Sequence, residues 1–148
     1  MDRIKDTWDV GKEIYEHIRT IEYKEEIRQI LLADLLDHIG RLMEDTYHKL
    51  STGIYPTGNS ERLEVFSHQL QSMLSPLLGE SQARVLAKKL ERAYTDEFLY
   101  GLHHSRNLDP DELKILELAS RYFLEAAQRL RASGEKKPGV LNQFSYRS

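Results

Sequence analysis

This 148-residue chain predicts an all-α fold, an antiparallel bundle of about five helices built round a long central one near residues 24–50. Three observations carry that expectation. Apolar side chains recur at steps of three and four along nearly the whole chain, which is the period of one helix face. No stretch alternates apolar and polar as a half-buried strand does. Glycine and proline punctuation separates the periodic segments.

The first helix is predicted from about Ile4 to Ile21, with Trp8, Tyr15 and Ile18 on one face and Gly11 on that face where a neighbour can come close. The second, about Lys24 to Leu50, carries two apolar rows: Ile27, Leu31, Leu35, Ile39 and Leu42, then Leu32, Leu36, Met43, Tyr47 and Leu50. Together they span an arc of roughly 200°, so this helix needs neighbours on two sides. Should one chain leave the second row uncovered, a symmetric homodimer would cover it. Ser51 to Ser60 holds two glycines and Pro56 and reads as a loop, with Ser60 as a cap for the helix that follows.

A third helix carries Leu63, Phe66, Leu70, Met73, Leu74 and Leu77 and is ended by Pro76 and Gly79. The fourth is expected as one piece from about Ser81 to Leu102, with Leu86, Leu90, Ala93 and Tyr94 inward. The fifth has the clearest signals: Asp109 as N-cap, Pro110 in the first turn, Glu112 completing a capping box, and Gly134 after Arg129 and Arg131. Residues 1–134 therefore read as one helical domain and 135–148 as a C-terminal tail.

Composition excludes several classes. Charged residues are 30% of the chain against 40% hydrophobic, and 21 Lys+Arg nearly balance 24 Asp+Glu, so no global charge draws the protein to nucleic acid or anionic lipid. Arg84, Lys88, Lys89 and Arg92 cluster, but Glu91, Asp96 and Glu97 interleave and no aromatic platform joins them. The absence of cysteine excludes disulfides, thiolate metal sites and a cysteine nucleophile. With charges at the start of the chain and no apolar run near the ~20 residues of a span, the expectation is a cytoplasmic protein without a membrane partner.

Histidines are oddly placed. Four of the six follow a carboxylate by four residues: Glu13 and His17, Asp34 and His38, Glu44 and His48, Glu64 and His68. Three of these pairs fall on polar faces and read as surface acid–base pairs, each worth roughly 0.2–0.5 kcal/mol. His38 instead projects at the margin of the apolar arc, with Asp34 and Asp45 on its flank, and Glu97 lies in line with Leu86, Leu90 and Ala93. Asp34, His38 and Glu97 are thus the candidate ligands of a divalent metal such as Zn, Mn or Fe, since a buried carboxylate requires a partner.

Residues Phe66 to Leu74, Phe-Ser-His-Gln-Leu-Gln-Ser-Met-Leu, resemble the histidine-containing box of sensor kinases and related phosphotransferases. The resemblance implies that His68, exposed on its helix, accepts a phosphoryl group. Gln69 stands where that family carries an acid, and Met73 where it carries proline.

Almost every polar residue falls on a solvent-facing stripe, whereas enzymes need several polar groups converging at a pocket. The expected function is therefore non-enzymatic: a protein–protein interaction or regulatory bundle that binds another protein or itself, without a cofactor. A metal-binding bundle and a histidine phosphotransfer-like protein are the alternatives. Apolar side chains at irregular or outward positions mark the expected contact surface: Ile54 and Tyr55 in the loop, Leu118 and Leu124 on the fifth helix, and Leu141, Phe144 and Tyr146 in the tail.

Overall fold

The predicted stripes close on one another in the computed structural model, which describes residues 2–20, 26–105 and 109–135. The helices are α1 (Asp2–Thr20), α2 (Glu26–Ser51), α3 (Asn59–Leu78), α4 (Glu80–Arg92), α5 (Asp96–His103) and α6 (Pro110–Glu135), with no strand among the described residues.

The fourth predicted helix is broken in two. Thr95 adopts an extended backbone and its hydroxyl accepts a hydrogen bond from the Phe98 amide, which makes it the N-cap of α5, with Asp96 and Glu97 in the first turn where the helix dipole favours anions. The break turns α5 away from the α4 stripe. Glu97, which an unbroken helix would align with Leu86, Leu90 and Ala93, is consequently exposed.

Packing runs from α1 to α6, α2, α3 and α4 and back to α1, a closed ring of five helices. Gln29 donates to the Leu130 carbonyl while the α2 backbone at Gly40 faces Ser120, so α2 and α6 are antiparallel. Asn59 against Thr46 and His38 against Phe66 set α3 antiparallel to α2, and Gly79 alone links α3 to an antiparallel α4. Alternation cannot continue around an odd ring, so one adjacent pair must be parallel. That pair is α1 and α6, where Trp8 meets Tyr122 and, further along both helices, Arg129 donates to the Tyr15 hydroxyl.

One core fills the ring, contributed by every helix. In α1 the buried positions are Thr7, Val10, Gly11, Ile14 and Ile18, with Trp8 and Tyr15 packed at the margin. Gly11 meets the expectation of close approach, because a Cβ there would lie 2.9 Å from Cε2 of Phe123. Of the two α2 rows, Leu35, Ile39, Leu42, Leu32, Leu36, Met43 and Leu50 are buried within this single chain, and Leu31 is 49% exposed. With both rows largely covered by α3 and α6, the packing argument for a dimer through α2 loses its basis.

Caps and turns explain the rest. Asp109 accepts from the Asp111 amide as predicted, and the Glu112 side chain lies outside the described residues. The α3 N-cap is Gly58, in the left-handed region at φ 83°, with no side-chain cap bond, so Ser60 does not serve as the cap. Asn59 does the stapling instead, donating to Asp45 Oδ2 at 3.0 Å and Thr46 Oγ1 at 2.9 Å. Burial alone would raise the Asp45 ionisation, yet bonds from Asn59 and Lys49 outweigh it and hold the carboxyl below its ordinary range. Gly79 has φ 89° and ψ 151°, a conformation essentially confined to glycine, and it makes the one-residue α3–α4 connection possible.

Tyr94, between α4 and α5, is fully buried and its hydroxyl has no hydrogen-bond partner among the described residues. Burial pushes its ionisation well up. Tyr94→Phe is therefore expected to raise the unfolding free energy by about 1 kcal/mol, because a desolvated, unpaired hydroxyl is removed and the ring remains. The proton is held more tightly folded than unfolded. The linked stability is whole below about pH 10, the unfolded value, and is lost as pH rises toward the folded value. Urea melts at neutral and alkaline pH check both statements: Tyr94→Phe gains at neutrality and loses less on alkalinisation than the native chain.

Candidate interaction surface

The loop after α2 and the short α5 build an aromatic surface at one end of the bundle. The loop returns the chain tightly: the Ile54 amide bonds the Lys49 carbonyl, and Gly53, at φ 77°, takes a conformation that leaves Ile54 outside. Pro56 is buried and anchors the loop, while Ile54 remains 55% exposed. The Tyr55 hydroxyl donates to Asp96 Oδ1 at 2.9 Å, tying the loop to the first turn of α5.

Around that tie the rings pack on each other. Tyr55 meets Tyr100 edge-on at 5.9 Å and His103 at 5.5 Å; Tyr100 stacks on His104 at 4.1 Å; His103 and His104 are 5.0 Å apart. Tyr100 is nonetheless 57% exposed. Acidic groups border the cluster, with Asp96 and Glu97 exposed on α5 and Glu61 close enough to be felt at Tyr55. Partial burial first, then the bond to Asp96 and its charge, push the Tyr55 ionisation up to about 12, so the phenol stays neutral and its faces remain electron-rich.

The three candidate metal ligands do not converge. Asp34 accepts from Arg131 Nη2 of α6 at 2.9 Å; His38 is exposed and lies parallel to the Phe66 ring of α3 at 5.9 Å; Glu97 sits on α5. His38, placed by the wheel at the edge of the apolar arc, thus borders it without entering. Among the described residues the His and carboxylate side chains whose ligand atoms gather are Glu64, His68 and Glu91. Glu64 and His68 are one of the surface pairs expected from the sequence. Glu91 joins them across the hairpin, a position that neither helix alone signals but the hairpin register does, since His68 and Glu91 stand 11 and 12 residues either side of Gly79.

The remaining expected contact residues divide. Leu118 is 38% exposed on α6. Leu124 is half-buried, its side chain lying over Gly40 in the α2–α6 seam, so it packs within the bundle. Leu141, Phe144 and Tyr146 lie outside the described residues. Tyr100, His103 and His104, at the end of α5, are the addition that the structure makes to Ile54 and Tyr55. No helix among the described residues is long and apolar enough to cross a membrane.

Comparison with protein-family models, with curated proteins and with solved structures returned no match.

Proposed function

We propose that the protein is a non-enzymatic interaction module of the cytoplasm that binds another protein through the Ile54, Tyr55 and Tyr100 surface. The observation that supports this reading most is the pairing of exposed Ile54 and Tyr100 with rings already locked against one another. Tyrosine is favoured at protein interfaces because it offers a large apolar face with a polar tip, and a side chain already held in place loses little entropy on binding. The acidic border of Asp96, Glu97 and Glu61 selects a partner segment that presents Arg or Lys beside an apolar residue, the cation resting on the tyrosine faces. The lack of cysteine suits a reducing compartment.

The test compares the native chain with an Ile54→Ser, Tyr100→Ser double variant and with Val85→Ala, which alters an exposed apolar residue on α4. Circular dichroism should leave all three alike. A partner retained by the native chain and by Val85→Ala should be lost by the double variant and weakened by Glu97→Lys. If sedimentation shows self-association abolished by the same double variant, the partner is a second copy. Equal capture by all variants overturns the assignment.

A further inference from the structure

The α3–α4 hairpin brings together side chains that the aromatic end does not use. Glu64 and His68 are one turn apart on α3, and Glu91 reaches them from α4 so that His68 Nε2 lies 3.7 Å from Glu91 Oε2. One ligand atom from each of the three falls within 4.8 Å of the other two. We propose that Glu64, His68 and Glu91 bind a divalent cation of the zinc class, with the remaining coordination position open to water.

Geometry supports this first. Ligand atoms about 2.0–2.2 Å from a tetrahedral zinc stand roughly 3.3–3.6 Å apart, so the observed cluster needs only small side-chain rotations to close. The three residues also sit on rigid helices whose register is set by the single-residue turn at Gly79. Two carboxylates flank one imidazole, and no Lys or Arg ion pair to Glu64 or Glu91 occurs among the described residues. A divalent cation relieves that carboxylate repulsion, whereas a histidine proton supplies only one charge.

Charge also decides between the two chemistries open to His68. A phosphoryl group on its imidazole would place about −1.5 to −2 charges beside two carboxylates, which opposes the phosphotransfer role that the Phe66 to Leu74 resemblance implies. A cation meets the opposite situation. The mixed nitrogen and oxygen donor set selects the zinc class over magnesium or calcium, which favour all-oxygen sites.

The experiment is calorimetric titration of untagged full-length protein with zinc chloride, alongside His68→Ala, Glu91→Gln and His48→Ala. All three positions are at least partly exposed and outside the core, so the fold should persist, as thermal melts would verify. The native chain and His48→Ala should bind one zinc per chain; His68→Ala and Glu91→Gln should each bind at least about tenfold more weakly, as loss of a direct ligand requires. Magnesium should give no comparable heat. Absence of zinc binding, undiminished binding in His68→Ala or Glu91→Gln, or equal affinity for magnesium overturns the site. None of these readouts involves Ile54 or Tyr100, so the result stands apart from the partner-binding test.

Discussion

Phe123→Ala is expected to cost about 3–5 kcal/mol of folding stability, the range for emptying a fully buried aromatic site. For a chain of this length that lowers the thermal midpoint by about 10 °C, measurable in a single melt. Phe123 is fully buried on α6, at the crossing where α1 and α6 run parallel. Its ring edge rests against the bare backbone of Gly11, which has no side chain to move into the void. The same contact yields a second measurement. Gly11→Ala alone should destabilise, since the new methyl would stand 2.9 Å from Phe123 Cε2 and 3.1 Å from Tyr122 Cβ. In the Phe123→Ala background the methyl enters the cavity instead, so the double variant should be more stable than the sum of the singles. A Phe123→Ala loss below about 1 kcal/mol, or strictly additive singles, would contradict this account of the α1–α6 crossing.

How far the sequence could be read depends on what a helical wheel contains. A wheel holds period and composition, and these sufficed for the helix stripes, the α6 start at Asp109 and Pro110, and the close approach at Gly11. It does not hold neighbours. Leu124 reads as outward on an isolated helix, but α6 is flanked by both α1 and α2, which widens its buried arc until Leu124 covers Gly40. Thr95 shows a different limit: a β-branched residue within an apolar periodic stretch is tolerable in a helix, and only its bond from the Phe98 amide reveals it as a cap. That cap carries Glu97 away from the α4 stripe and so disperses the predicted trio with Asp34 and His38. The Glu64, His68 and Glu91 cluster needs the register of two helices, information that lies in the Gly79 turn and in neither helix alone.

Gly40 marks the other seam of α6, and Gly40→Val is expected to destabilise the protein by at least about 2 kcal/mol, within the range for overpacking a filled interior. A Cβ at this buried position would lie 2.8 Å from both Cγ and Cδ2 of Leu124 and 3.1 Å from the Ser120 carbonyl oxygen. These obstacles differ in kind. The Leu124 side chain is half-buried and can swing toward solvent, whereas the Ser120 oxygen belongs to the α6 backbone and yields only if the helices part. Gly40→Ala, whose Cβ meets the same carbonyl at 3.1 Å, should therefore cost less than valine, part of its crowding being offset by the roughly 1 kcal/mol that alanine gains over glycine within a helix. Valine brings a branched Cβ with a stiff rotamer and no way round the carbonyl. Parting α2 from α6 there would also strain the Gln29 bond to Leu130 and the Arg131 pair with Asp34, further along the same seam. Adding Leu124→Ala should recover part of the Gly40→Val loss but not all of it, because the carbonyl remains. Full recovery would show that side-chain crowding alone controls the seam, and a Gly40→Val chain as stable as the native one would show that α2 and α6 do not approach this closely.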